Sequence, residues 1–559
     1  MSEYNQTPDN DHIADVLRLT GRLMELHGEN SFKANAYTNT AFRIDKFPEP
    51  VSEYVRKGIH GQIEGVGAGM KASLKEIVET GTLIQLEELL KQTPSGVLEM
   101  MEIKGIGPKK VAVIWKTLDI TTPGELLYAC IENRLSELKG FGQKTQESIR
   151  KAIEYKISNQ GKLLYARARI LLDPILTLLR KKSGVRVEYT GAIRRACPTL
   201  DKAEFLAETH DLQALLTLLQ EMPELLQVRQ EGEHRIIAHT PEGFQVEVHL
   251  APDQFEYHWL RATAVETHFQ VLAERNISPA STETEIYTQA GLPFFPPELR
   301  EGRDELSRYA SGIPNLIEVK DIRGILHAHS TWSDGSHTLE KMAKAAKAQG
   351  YEYLGITDHS KAAFYASGLS EGRIEEQHKE IDRLNQELAP FKIFKGIESD
   401  ILNDGSLDYE ESVLKSFDFI VASVHSNLKM NEEKAMMRLM RAIENPYTTI
   451  LGHPTGRLLL AREGYPIHWE KIIDACIANG VVIELNANPY RLDIDWEWIP
   501  YALDKGAMIS INPDAHSVEG YEDLNWGVAA ARKGGLVKEK NLSSMGVAEF
   551  GEWLTHNRG

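Results

Sequence analysis

Cysteine is scarce: Cys130, Cys197 and Cys476 lie far apart and match no zinc or disulfide spacing. Reduced thiols in a cytoplasmic protein are the expected state. The chain has no apolar run of about 18 residues, which excludes a membrane-spanning helix, and it has no low-complexity tract. Its opening stretch, MSEYNQTPDNDHIADVL, lacks the basic and apolar regions of a signal peptide. Positive charge is in deficit, with 63 Lys and Arg against 81 Asp and Glu and a net charge of −18. That argues against a protein that simply coats nucleic acid. The deficit is uneven: residues 99–162 hold 11 basic and 8 acidic side chains, whereas 320–559 hold 26 and 36. An acidic region can still meet phosphates if bound cations reverse its local field.

The 559 residues are too many for one hydrophobic core, so several domains are expected. Residues 10–160 read as helices with Gly-containing turns. Residues 161–315 mix helix and strand: a helical LLYARARILLDPILTLLRKKSG, then VRVEYTGAIRR as strand and loop, then HRIIAHT and FQVEVHL about the turn PEG. The Pro-rich GLPFFPPELREGRDELSRYASGIPNLIEVKD reads as a domain connection. From Asp321 short apolar strands alternate with helices, the pattern of a parallel-stranded β/α barrel. The expected domains are 1–95, 96–160, 161–315 and 320–559.

One motif recurs in the helical half, as Ile63-Glu-Gly65-Val-Gly67, Ile103-Lys-Gly105-Ile-Gly107 and Leu138-Lys-Gly140-Phe-Gly142. Each precedes a helix that contains lysine. A Gly-apolar-Gly hairpin presents backbone N–H groups at a helix N-terminus, where an anion binds, and glycine admits a phosphate closely. Lys109, Lys110 and Lys144 add charge. Such contacts grip phosphates without reading sequence.

The densest signal follows residue 324, where His327-Ala-His329 precedes Asp334. In a strand the two imidazoles point to one face and can share an ion. Asp358-His359, Glu398, His425, His453 and Asp514-Ala-His516 follow, nearly all at the ends of expected strands, where barrel enzymes place their chemistry. One such histidine is more often structural than a ligand; the whole set is hard to explain by coincidence. His337, His468 and His556 lack that placement. Mixed His and carboxylate ligation suits Mn²⁺, Zn²⁺ or Fe²⁺. Arg457, just past His453, is a candidate phosphate clamp or an ordinary surface arginine.

These motifs carry two resemblances. The repeats resemble the helix-hairpin-helix motifs of DNA repair proteins and DNA polymerases. Residues from about 320 to 540 resemble the polymerase-and-histidinol-phosphatase (PHP) family. By that resemblance the ligands are His327, His329, Asp334, His359, Glu398, His425, His453, Asp514 and His516, holding two to three divalent ions, with Glu398 bridging two of them. His327, His329, Glu398 and Asp514, with Arg457, are the expected catalytic residues. One departure is Ile325, where the family usually has Asp.

Residues 1–315 resemble the family X DNA polymerases, whose bacterial members carry a C-terminal PHP domain. The whole chain is therefore expected to be multidomain: helix-hairpin-helix domains, an α+β polymerase-like palm and thumb, and a distorted β/α barrel. Gly191-Ala-Ile-Arg194-Arg195 resembles that family's nucleotide-binding element. Its catalytic Asp-x-Asp pair is not matched. Without gaps, Lys202 and Glu204 fill the two positions; shifting by one gives Asp201 and Ala203. Glu247 stands at the third. Lysine puts a cation where a cation should bind, so the polymerase site is expected to be dead or nearly so. At the Schiff-base position of the family's lyase stands Ser73, near Lys71 and Lys75, which leaves that activity unsupported.

The expected function is a cytoplasmic, metal-dependent DNA nuclease in DNA repair: a 3′→5′ exonuclease, 3′-phosphatase or abasic-site endonuclease. Its expected partners are gapped, 3′-ended or abasic DNA and repair proteins, with no membrane. The rival readings are an active gap-filling polymerase with an editing nuclease, a DNA-end scaffold without catalysis, and a small-molecule phosphatase.

Overall fold

The structure, a computed structural model, describes residues 8–63, 66–131, 135, 138, 140–158, 161–241, 243–363, 366–460 and 463–557. The chain divides into two compact units, Met1–Gln160 and Gly161–Gly559. The described part of the first is helical. Helices Asn10–His27, Ser31–Asp45, Ala68–Thr80 and Pro108–Leu118 close over a core that includes Leu17, Ile44, Leu74 and Ile114. The Asp9 side chain accepts from His12 N, which satisfies one open donor of the first helix.

The three repeats share one local geometry. In each, the N–H of the second apolar residue bonds the carbonyl three back: Val66 to Ile63 (3.1 Å), Ile106 to Ile103 (3.2 Å) and Phe141 to Leu138 (3.0 Å). Gly105 and Gly140 both have φ of 90°, a conformation that disfavours any side chain. Gly65 lies outside the described residues.

The second unit opens with helix Tyr165–Ser183 packed on a five-stranded sheet. Its strands are β1 (Val187–Thr190), β2 (Lys202–Ala207), β3 (Leu226–Gln230), β4 (Arg235–His239) and β5 (Gln245–Leu250), in the order β1-β2-β5-β4-β3. All pairs are antiparallel except β2 with β5. The expected hairpin is β4–β5. The Pro-rich segment read as a connection is instead packed: Leu292, Phe295, Leu299 and Leu316 form a core with Leu260 and Tyr287. Turn residues set its backbone, but its apolar side chains and the fully buried Arg300 fix it. Arg300 binds Glu283 through both terminal nitrogens at 2.8 Å.

From Gly324 seven parallel strands run in sequential order: β6 (Gly324–Ile325), β7 (Tyr353–Ile356), β8 (Lys392–Asp400), β9 (Phe419–Ser423), β10 (Ile450–Leu451), β11 (Val482–Asn486) and β12 (Ile509–Asn512). Past the ends of β6 and β12, Ala328 bridges Ala515, and the sheet nearly closes. One face of each strand packs on the surrounding helices, as Leu354, Ile393, Ile420, Ile483 and Ile509 do with Met342, Ile381, Leu439, Ile473 and Val528. The Ile325 that departs from the family lies in this outer layer.

The other face points inward and changes character along its length. By the two-residue alternation, β7 and its extension read Tyr353, Gly355, Thr357, His359; β8 reads Phe394, Gly396, Glu398, Asp400; β9 reads Phe419, Val421, Ser423, His425; β11 reads Val482, Glu484, Asn486. The apolar ends pack with Phe550 and Leu554 of the last helix, Val547–Asn557. The polar ends gather at the C-terminal rim. Gly396 exists to admit Phe419: a Cβ there would lie 2.6 Å from both the Phe419 ring and the Ile356 carbonyl oxygen. Gly396→Ala is therefore expected to destabilise the barrel by about 1–3 kcal/mol. Denaturant unfolding checks this, and an unchanged midpoint would refute the packing assignment.

Candidate metal centre

Glu398 stands at the middle of the rim, 1% exposed. Its Oε1 lies 3.1 Å from His425 Nε2, 3.1 Å from His453 Nε2 and 3.3 Å from His327 Nε2. Its Oε2 lies 3.0 Å from His359 Nδ1 and 3.5 Å from His329 Nε2. One carboxylate thus faces five imidazoles. Beside it, His329 Nε2 is 3.0 Å from Asp514 Oδ1, and His516 Nε2 is 3.4 Å from Asp334 Oδ1.

Three sets converge closely enough to share ions: His329, Asp334, His359 and His516; His327, His329 and Asp514; and His359, Glu398 and His425. His453 stands outside these sets but touches Glu398. The side chains fit resident cations by a direct criterion. His327 Nε2, His329 Nδ1 and His453 Nδ1 are buried without a hydrogen-bond partner among the described residues, and His359 Nδ1 and Glu398 Oε2, though 3.0 Å apart, do not meet in hydrogen-bond geometry. Buried polar atoms are seldom left so, because each loses its water uncompensated. Imidazole nitrogen and carboxylate oxygen are donors suited to Mn²⁺, Zn²⁺ or Fe²⁺.

A second layer of residues, not anticipated from sequence, orients the first. Glu484 accepts from His327 Nδ1 (2.6 Å) and Asn512 Nδ2 (2.9 Å), and its other oxygen takes the backbone N–H of His453 (2.7 Å). Asp400 accepts from His425 Nδ1 in the same way, leaving Nε2 toward Glu398. A carboxylate behind a ligand histidine fixes its tautomer and raises its basicity. Glu484 was visible as the one charged residue of the apolar strand VVIELN. Asp400 sits two residues after Glu398 and hence on its face.

Electrostatics follow the same layout. Burial opposes protonation of His425, but Glu398 and Asp400 outweigh it and push its pKa up to about 10. His516, despite burial, is raised to about 9 by Asp334 and Asp514. Burial, with His516 and His359 as neighbouring like charges, lowers His329 to about 3. Burial would raise Glu398, yet His425, His327 and His359 hold it well below the usual carboxylate range. Of the positive side chains, Arg491 approaches this group, with Nε 3.8 Å from Asp514 Oδ2.

Arg457, the candidate phosphate clamp, is turned onto the protein. Its Nε donates to the Arg491 carbonyl at 2.9 Å, and its terminal nitrogens engage Asp495 and the Leu492 carbonyl. Three of the five guanidinium N–H groups are thus held by the protein itself.

In the five-stranded sheet, Glu204 faces Glu247 across β2 and β5, and Lys202 lies on the same face two residues earlier. This geometry matches the ungapped alignment. The Lys202 ammonium sits 2.9 Å from Glu204 Oε1 and 3.1 Å from Glu247 Oε2. His249 Nε2 is 3.1 Å from Glu247 Oε2, and Arg235 is 3.6 Å from it. Asp201 faces away, 3.3 Å from Lys162. Gly191 lies where the Glu204 carboxylate crowds the backbone. The two arginines that follow are also engaged. Arg194 forks onto Glu283 (2.7 and 2.8 Å) beneath Trp259, and Arg195 holds Glu301 (2.9 Å), which also binds the buried Lys533.

In the helical unit, Gly67 and Gly107 cap their helices, and open space surrounds the Cα of Gly67, Gly105, Gly107, Gly140 and Gly142. Lys109 extends to Glu25 at 3.4 Å, and Lys110 lies over the Phe141 ring. Lys144 lies in the first turn of helix Gln143–Ser158. Ser73 is buried and bonded to Tyr37 Oη (3.0 Å).

Two outcomes follow for the centre. Glu484→Ala should lower divalent-cation affinity by about 10–100-fold, measured by competition with a chromophoric chelator; unchanged affinity would remove Glu484 from the account. His425 and His516, raised to about 10 and about 9 in the metal-free fold, stabilise it fully below about pH 6.5, and that contribution disappears as pH rises through those values. The chelator-treated protein should accordingly lose thermal stability between pH 7 and 10, and cation binding at pH 7.5 should release protons. Calorimetry in buffers of different ionisation enthalpy reads that release, and binding without it would contradict the charge assignment.

Comparison with known proteins agrees with this anatomy. Residues 8–83 match a helix-hairpin-helix domain, residues 97–154 a SAM-like helix-hairpin-helix tandem, and residues 326–488 a PHP domain. The "DNA polymerase/3'-5' exonuclease PolX" of Bacillus subtilis is 33% identical over 573 aligned positions, covering 98% of this chain and 100% of that protein. A "Probable phosphatase" of Acetivibrio thermocellus is 31% identical over 172 residues, 29% of this chain and 65% of its own. Another, from Thermoanaerobacter sp. (strain X514), is 28% identical over 201 residues, 34% of this chain and 77% of its own. With helix-hairpin-helix units before it, a PHP barrel after it and a full-length relative of that kind, this chain belongs to the family X DNA polymerases that carry a C-terminal PHP domain.

Proposed function

We propose that this chain is a DNA-trimming nuclease whose PHP barrel hydrolyses phosphate esters at DNA 3′ ends or abasic sites during repair in the cytoplasm. The single observation that carries this reading is the convergence of nine potential ligands, Glu398 and eight others, at one rim, with several of their buried nitrogens unpartnered. The three overlapping ligand sets favour two to three ions. When bound, divalent cations supply Lewis-acid stabilisation of phosphoryl oxygens and water that ionises near neutral pH. The protein's own residues do the rest. Glu484 and Asp400 keep two imidazoles aimed at the centre. The partly exposed Asp334 and His516 form its mouth. The exonuclease half of the Bacillus relative's description, and the phosphatase descriptions of the shorter relatives, agree with this chemistry.

The polymerase half of that description does not carry over in this reading. Two-metal nucleotidyl transfer needs anionic oxygens free to hold cations. Here Lys202 already occupies the space between Glu204 and Glu247, with His249 and Arg235 alongside. Arg194 and Arg195, expected to meet a nucleotide, are bound to Glu283 and Glu301. The middle of the chain then serves to hold DNA, as the helix-hairpin-helix repeats do through backbone N–H groups.

The test incubates pure protein with 3′-recessed, gapped and abasic DNA, Mn²⁺ and dNTPs, beside a His327→Ala/His329→Ala variant. Shortening or 3′-dephosphorylation is expected from the wild type alone, with no template-directed extension by either. Degradation that persists in the variant would overturn the nuclease assignment, and robust extension by the variant would overturn the loss of synthesis.

A further inference from the structure

We propose that Arg491 is the side chain that grips the phosphate of the ester to be cleaved. This rests on the reading of the barrel as a phosphoesterase and names the group that binds the reacting moiety. Among the described residues, Arg491 is the only lysine or arginine with an ion-pair contact to any of the nine expected ligands. That contact is long, 3.8 Å from Nε to Asp514 Oδ2, and no hydrogen bond engages the two terminal nitrogens among the described residues. The side chain is 19% exposed, so its planar fork lies at the edge of the centre and within reach of solvent.

The main chain that carries it is held with unusual care. The Arg491 N–H donates to the Asn488 carbonyl (2.8 Å) and the Tyr490 N–H to Asn488 Oδ1 (3.0 Å). The Asn486 N–H bonds the Asp493 carbonyl (2.7 Å), and Asp493 takes the Thr455 N–H and hydroxyl (2.9 and 2.8 Å). From the far side the Leu459 N–H bonds the Tyr490 carbonyl (2.6 Å), while Arg457 binds the Arg491 and Leu492 carbonyls. The two arginines divide the work. Arg457 turns inward and positions the loop; Arg491 is fixed at its backbone and free at its tip.

A free guanidinium tip beside a cation centre has a defined use. Ions reach some oxygens of a phosphate, and an arginine can hold two of the others at once with parallel N–H bonds. Charge that builds on those oxygens during transfer is then met by a donor already in place. The competing explanation is that Arg491 merely offsets the charge of Asp514. A 3.8 Å contact through one nitrogen is a weak form of that role.

The experiment compares wild type, Arg491→Ala and Arg491→Lys, each loaded with Mn²⁺. It uses bis(p-nitrophenyl) phosphate as substrate and inorganic phosphate as a calorimetric ligand. For Arg491→Ala, kcat/KM should fall by about 10²-fold or more, and phosphate affinity by about tenfold or more. Arg491→Lys should recover part of the phosphate affinity, and guanidinium ion in solution should restore part of the activity of Arg491→Ala. Metal content should stay that of the wild type in both variants. Unchanged phosphate affinity would overturn the proposal, as would metal loss in Arg491→Ala without guanidinium rescue. Phosphate binding needs no turnover. If the wild type bound phosphate through Arg491 yet cleaved no ester, only the phosphoesterase reading would fall.

Discussion

The centre depends on closing a parallel sheet until its first and last strands meet. The bridge between Ala328 and Ala515 does this with two backbone bonds, His329 N–H to the Ala515 carbonyl (2.8 Å) and Ala515 N–H to the His327 carbonyl (3.3 Å). The two bridged alanines lie between His327 and His329 on one side and between Asp514 and His516 on the other. The backbone bond that shuts the barrel therefore brings together four ligands separated by nearly two hundred residues. In β7, β8 and β9 the inner face runs from aromatic at the closed end to acid or imidazole at the open end, so packing and chemistry share the same register. A slip of one residue in β8 would send Glu398 outward and Ile397 inward.

Closure also concentrates like charges, and the structure answers this in layers. Imidazoles alternate with carboxylates around Glu398, and buried Glu484 and Asp400 stand behind two of the histidines. Backbone strain is placed in the same region, with positive φ at His453 (22°) and Asp514 (53°). Histidine rarely adopts such a conformation unless its surroundings impose it, and here the Glu484 carboxylate holds the His453 N–H. The buried unpartnered nitrogens are what cations would satisfy. The five-stranded sheet shows the opposite solution to clustered acids. There a lysine on the same face lies between two glutamates and pairs with both, so their charge is met from within the protein.

Much of this was legible in the sequence, for physical reasons. Parallel strands buried on both faces read as short apolar runs, and a histidine or acid at the end of such a run stands out. The β/α barrel and its rim were visible for that reason. The glycine hairpins were visible because only glycine suits φ of 90° at Gly105 and Gly140, so the pattern repeats. What stayed hidden depends on approach in space. Arg457 looked like a phosphate clamp because it follows His453, but its side chain turns back to the loop that carries Arg491. Nothing local to residue 491 distinguishes it from any other loop arginine. The Pro-rich stretch after Gly291 looked like a connection by composition, yet Arg300 and its Glu283 partner make it part of a packed core. Glu484 was legible in principle as a lone acid in an apolar strand, and its role needed the neighbouring strands.

Everything in the barrel turns on whether its rim holds several divalent cations around Glu398. Crystals grown with Mn²⁺ and measured on both sides of the manganese absorption edge test it most directly. Two or three anomalous peaks are expected inside the rim, bounded by His327, His359, His425 and Asp514 and flanking the Glu398 carboxylate. An empty rim in a well-ordered crystal, or manganese bound only at surface carboxylates, would contradict it.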